Sequence, residues 1–196
     1  MNLSTLTSLF TVLLFVASCN AQNNNKNDFE YSLESAHPKA RALMTEDFFW
    51  SPTEETGPFG SDDGSDAAYG FRRWRMEKKL NSPVTYLKEL MKRWNYPFFD
   101  WEELDTSKIK EYLNSDTTRK VGMYMYLIGQ DNAIIGTAFA QFALEGKVDN
   151  YLQRLTITAI KRQLLPVVLD NFPDTYATER KQQLSKMLDV ITKANS

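Results

Sequence analysis

The stretch 131–147, DNAIIGTAFAQFALEGK, constrains the fold more than any other part of the chain. Between Asn132 and Gly146 the side chains are apolar on almost every face of a 3.6-residue helix, the exceptions being Thr137, Gln141 and Glu145 at four-residue spacing. A helix that is apolar all round is buried on every side. The segment therefore predicts a central helix with others packed around it. Asp131 is expected to cap its start and Gly146 to close its end, because glycine tolerates the left-handed backbone of a C-terminal cap. The narrow Thr137, Gln141 and Glu145 stripe is read as facing water, with a polar cleft as the alternative.

The neighbouring segments supply the surrounding helices. NSPVTYLKELMKRWN at 81–95 is the best defined, with Ser82 as cap, Pro83 at the first helical position and a stripe of Val84, Leu87, Leu90, Met91 and Trp94. Helices are also expected from AHPKARALM, capped by Ser35 or His37, from LDTSKIKEYLN, capped by Asp105 or Thr106, and from NYLQRLTITAIKRQLL, ended or kinked by Pro166. A last helix spans about 176–194 and buries Leu184, Leu188 and Ile191. In 120–129, KVGMYMYLIG, Met and Tyr alternate with period two inside a continuously apolar run. Periodicity alone leaves strand and helix both open there. With 196 residues and 12 Phe, 9 Tyr and 4 Trp to fill an interior, the expected architecture is mainly α, one compact multi-helix domain over 31–196, with a short β segment near 120–129 as the open point.

The N-terminus reads differently. Residues 9–19, LFTVLLFVASC, form an apolar run too short to span a bilayer, and it ends in small residues before the chain's single cysteine. Val16-Ala17-Ser18-Cys19 resembles a bacterial lipobox, in which the Cys thiol receives a diacylglycerol and the preceding peptide bond is cut. Residues 1–18 are then a signal peptide and Cys19 the lipidation site. The first eight residues carry no Lys or Arg, a departure from the usual signal. Residues 19–30, which include NAQNNNKND, form a polar tether whose nine-residue core reaches roughly 15 to 20 Å. Each buried methylene of an acyl chain contributes about 0.8 kcal/mol, so two or three chains hold the domain at a membrane of the cell envelope. No cysteine is left for a disulfide or a thiolate metal site.

Seven acids and no base lie in 46–66, followed by five bases and one acid in 72–79. A calcium loop beginning at Asp62 would need Gly at its sixth position and Glu at its twelfth, where Ala67 and Arg73 stand. The EF-hand reading fails. The switch in sign suits a helix over AAYGFRRWRMEKKL instead, with Asp62, Asp63, Ser65 and Asp66 preceding it at its positive end, Arg75, Lys78 and Lys79 toward its negative end, and Ala67, Phe71 and Trp74 inward. Trp50, Phe59, Asp62, Asp63 and Asp66 remain as a candidate pocket or binding loop.

Other chemistry finds little footing. The net charge of −2 supplies no field for nucleic acid, and FRRWR at 71–75 places Trp74 at core spacing from Phe71. His37 is the sole histidine, and no GxSxG, P-loop or GxGxxG pattern occurs. No catalytic residue, metal or cofactor is expected. The phrases SAHPKARALMTEDFFW, PFGSDDGSDAAYGFRRWR and DNAIIGTAFAQFALEGKVD together resemble an uncharacterised bacterial YfeS-like family over about 35–165. The resemblance implies that PFGSDDGSD belongs to the domain's architecture, and it brings no catalytic residues. It also implies proteins without an export signal, from which the lipobox departs. The leading expectation is a membrane-anchored lipoprotein with a binding or interaction domain, including the immunity type that blocks a toxin, and with a protein partner in the envelope. The alternative is a carboxylate-based enzyme acting on glycan or another envelope substrate.

Overall fold

The computed structural model describes residues 29–116 and 122–196; Cys19, the signal peptide and most of the tether lie outside the described residues. Its eight α-helices are α1 (Pro38–Leu43), α2 (Asp62–Glu77), α3 (Pro83–Trp94), α4 (Thr106–Leu113), α5 (Met123–Glu145), α6 (Asn150–Gln163), α7 (Pro166–Leu169) and α8 (Asp174–Lys193). A 3₁₀ turn, Asp47–Phe49, precedes α2. The protein is mainly α, and no strand occurs among the described residues.

The caps follow local chemistry. Ser82 Oγ accepts from the Val84 amide at 3.3 Å, with Pro83 behind it needing no donor partner. Asp105 Oδ1 accepts from Ser107 and Lys108 at 2.8 and 3.2 Å. His37 caps α1 through Nδ1, 3.2 Å from the Lys39 amide, and its own amide donates to Ala143 O at 2.7 Å, which docks α1 on the end of α5. Gly146 ends α5 in the left-handed conformation, φ 66°. A side chain there would also strike the His37 ring. Phe29, the first described residue and inside the range read as tether, is already packed: its ring meets Tyr31 edge-on at 5.0 Å and carries Arg72 over its face.

Helix α5 is the axis. Of its 23 residues 17 are buried, so the other helices must cover all of its faces. Its largest contact is with α2, followed by α6. The main core gathers Ala67, Ala68 and Phe71 of α2 against Ala133, Ala140 and Phe139 of α5, and is closed by α3, α6 and α8. A smaller cluster of Phe99, Ile109, Leu127, Ile128 and Val168 surrounds the first half of α5.

One open point closes and three expectations are corrected. The 120–129 segment, left open between strand and helix, is helical from Met123 onward, because Leu127 and Ile128 join the small cluster and the run continues unbroken into the central helix. Asp131 is not a cap: α5 begins two turns earlier, at the Gly122 cap, and Asp131 lies fully buried against Arg162. The Thr137 and Gln141 stripe does not face water. Gln141 Nε2 donates to Glu145 at 2.9 Å while its Oε1 accepts from the Asp149 amide at 2.9 Å, tying the end of α5 to the start of α6. Finally, α2 begins at Asp62 with Ser61 as cap, its Oγ 3.2 Å from the Gly64 amide, so Asp62 and Asp63 fill the first turn and Asp66 lies within the helix.

Candidate functional site

Where the first turn of α2, the first half of α5 and the start of α8 meet, the fold leaves a cavity of about 450 Å³. Three kinds of wall surround it. Acids stand on the α2 side, Asp62 and Asp63 joined by the exposed Glu55. Aromatic rings form another side, Phe172 packing edge-on with Tyr124 at 5.7 Å and against Tyr176 at 4.9 Å. Arg180 of α8, 3% exposed, supplies a cation.

Asp63 is held from behind. Tyr96 donates its hydroxyl to Asp63 Oδ1 at 2.6 Å, which ties the first turn of α2 to the segment after α3. Burial pushes the Asp63 carboxyl above the ordinary aspartate range, the charges of Asp62 and Asp66 add to the rise, and the Tyr96 hydrogen bond opposes it. Gly129 of α5 makes room for this arrangement, since a Cβ there would come within 2.7 Å of Asp63 Oδ2.

Arg180 donates through Nε and Nη2 to Gln163 Oε1 at 3.1 and 2.6 Å, through Nη2 to Asn132 Oδ1 at 2.9 Å and through Nη1 to Thr56 O at 2.5 Å. All of these acceptors are neutral. The nearby buried carboxylate, Asp131, is engaged by Arg162 through both Nε, at 3.2 Å, and Nη2. Arg162 also donates from Nη1 to the carbonyls of Trp101 and Glu103 at 3.1 and 2.8 Å. Two buried guanidiniums thus stand near one buried carboxylate, which only Arg162 bonds. Burial lowers the proton affinity of Arg180 from its usual value, which arginine tolerates without losing charge. Beside it the Tyr124 hydroxyl is buried and has no hydrogen-bond partner. Burial raises the Tyr124 pKa and the Arg180 charge opposes that rise, as expected of neighbours.

The five residues read from sequence as one pocket are divided. Asp62 and Asp63 line the cavity. Trp50 and Phe59 border a separate small recess, Trp50 donating from Nε1 to Met44 O at 2.9 Å and Phe59 stacking on Tyr31 at 4.5 Å in the core. Asp66 is exposed on α2. Sequence reading missed Tyr124, Asn132 and Arg180. Asn132 carried a usable signal, a polar residue in the most apolar run of the chain, whereas Arg180 looks like any other cation of a polar helix.

A second recess, about 490 Å³, lies beside α3 under Phe98, Trp101 and Tyr151, with Phe98 89% exposed. Its polar groups are mostly engaged elsewhere: Trp101 Nε1 donates to Gln130 Oε1 at 3.0 Å, and Gln130 Nε2 donates to Pro97 O at 3.2 Å. Among the described residues no group of three or more His, Cys, Asp or Glu gathers as a metal site. No helix among them is long and apolar enough to cross a membrane.

Fold and site together define a single mainly α domain built round one buried helix, with a cavity of mixed aromatic and charged lining at one end of that helix. The chain is similar to the uncharacterized protein YfeS of Escherichia coli (strain K12), 23% identical over 162 residues, a match that takes in 82% of this chain and 62% of YfeS. The chain therefore spans less than two thirds of that relative's length, and the likeness fits a YfeS-like family. No protein-family model matches the chain, and no solved structure does.

Proposed function

We propose that this protein is a non-catalytic binding protein of the cell envelope, held at its membrane by a lipidated Cys19, and that its helical domain takes its ligand in the cavity between α2, α5 and α8. The observation that carries the reading is the cavity itself. It is large enough for a small molecule, has aromatic walls, and combines acids on one side with a buried cation on another, as small-ligand sites do. Such a recess suits a small occupant better than the flat face of a protein partner, so the immunity-type variant is the less favoured form. The raised carboxyl of Asp63 supports the rival reading of a carboxylate enzyme. One of its two oxygens is already engaged by Tyr96, however, and its neighbour Asp62 is solvent-exposed.

Two measurements test the proposal. Palmitate labelling and membrane retention should be lost in Cys19→Ala and blocked by globomycin; labelling that persists removes the anchor. Thermal-shift screening of the full chain against small envelope metabolites should find compounds whose stabilisation disappears in Ile128→Trp, which fills the cavity. Stabilisation indifferent to that variant would place binding elsewhere, and turnover of a screened glycan would favour the enzyme.

A further inference from the structure

We propose that the cavity is a site for a small zwitterion with an apolar side chain, such as a free amino acid, whose carboxylate is held by Arg180 and the Tyr124 hydroxyl. The inference rests on the binding reading above and gives that ligand its chemistry.

The donors come first. A guanidinium has five N–H groups, and the four hydrogen bonds of Arg180 use Nε, both N–H groups of Nη2 and one of Nη1. One Nη1 N–H is left over, on a residue that lines the cavity. Tyr124 also lines the cavity, and its hydroxyl is buried and lacks a partner. An unpaired buried donor is costly; Thr137 Oγ1 is also buried without a partner, but it does not line this recess, where two such groups come together. A carboxylate, with two acceptor oxygens and no hydrogen to donate, meets both needs at once.

Charge then limits the ligand. Arg162, Arg180 and Asp131 leave one net positive charge in the buried cluster, which matches a monoanion and disfavours a phosphate dianion. The cavity lining also carries Glu55, Asp62 and Asp63. A simple anion would be repelled there, whereas an ammonium group near those acids is attracted. Ile128, Phe172 and Tyr176 in the same lining offer an apolar surface for a side chain.

Calorimetry on the full chain in detergent with L-phenylalanine, L-phenylalaninamide and 3-phenylpropionate separates the parts. L-phenylalanine should bind saturably, and the amide, which lacks the carboxylate, should bind about tenfold or more weakly, as expected for loss of a charge-assisted hydrogen bond. Loss of the ammonium in 3-phenylpropionate should also weaken binding. Tyr124→Phe removes an oxygen with no partner in the free protein, so it should leave the Tm unchanged while weakening L-phenylalanine about tenfold. Arg180→Lys is the harsher variant, since its neutral acceptors also lose partners. Equal binding of acid and amide, both abolished by Ile128→Trp, would overturn the carboxylate assignment while leaving the binding function standing. An L-phenylalanine affinity unchanged in Tyr124→Phe would overturn it as well. No saturable binding of any of the three probes would also overturn the assignment, while screening hits lost in Ile128→Trp would still uphold the binding reading.

Discussion

The crossing of α2 and α5 depends on two glycines, and Gly136→Ala measures how closely the helices approach. A Cβ on Gly136 would lie 3.0 Å from both the Cα and the carbonyl carbon of Gly64, and closer still to its oxygen. Those atoms are backbone inside another helix and cannot swing aside, so the two helices must part along a seam that includes Ala67, Ala68 and Phe71. Overpacking of this kind costs about 3 kcal/mol when the obstacle is rigid. Alanine returns about 1 kcal/mol through its better helix propensity. The net loss is about 2 kcal/mol, or roughly 4–8 °C in Tm for a domain of this size. Circular dichroism during thermal and urea unfolding reads both quantities. Gly122→Ala, where the added carbon meets nothing within 4 Å, should change stability far less and serves as the control. A Gly136→Ala Tm equal to or above wild type would refute the close approach, because propensity alone would then have decided the outcome.

Two further outcomes concern the buried charges. Arg162→Met strands the Asp131 carboxylate in the core and leaves the Trp101 and Glu103 carbonyls without their donor. It should cost about 3–5 kcal/mol, and adding Asp131→Leu should recover part of the loss; urea midpoints for the single variant close to wild type would contradict the pairing. For Asp63, burial raises the folded-state pKa, so between the unfolded and folded values the native protein binds a proton that the unfolded chain has released. Stability from this group therefore falls as pH rises through that window. Asp63→Asn cannot titrate yet keeps an oxygen for Tyr96, so its stability relative to wild type should climb from about pH 4 toward neutrality. A difference that stays flat over that range would show that Asp63 is not desolvated.

Much of this architecture was legible in local sequence because its causes are local. Ser82 before Pro83, Asp105 before Thr106 and Gly146 after an apolar run each specify an end through a hydrogen bond or a backbone conformation spanning a few residues. The largely apolar 133–144 stretch likewise announced burial on every side, whatever the neighbours were to be. Met123 to Gly129 was ambiguous for a physical reason: a continuous apolar run satisfies both periods, and only packing against Ile109, Val168 and Phe99 selects the helix. Asp131 misled because an acid ahead of an apolar run is the usual mark of a cap, and its partner Arg162 stands 31 residues away.

The cavity shows the same division. That Asp62 and Asp63 open a helix is written in their own stretch of chain, and Ser61 settles it within three residues. Tertiary structure alone decided that Asp63 would meet Tyr96, 33 residues further on. It also decided that Arg180, one cation of a polar helix, would be buried against Thr56, Asn132 and Gln163 at the edge of a recess. Hydrogen bonds along a helix reach four residues and leave a pattern in the sequence. Desolvation of a charge depends on which distant segments fold over it, and no local pattern records that.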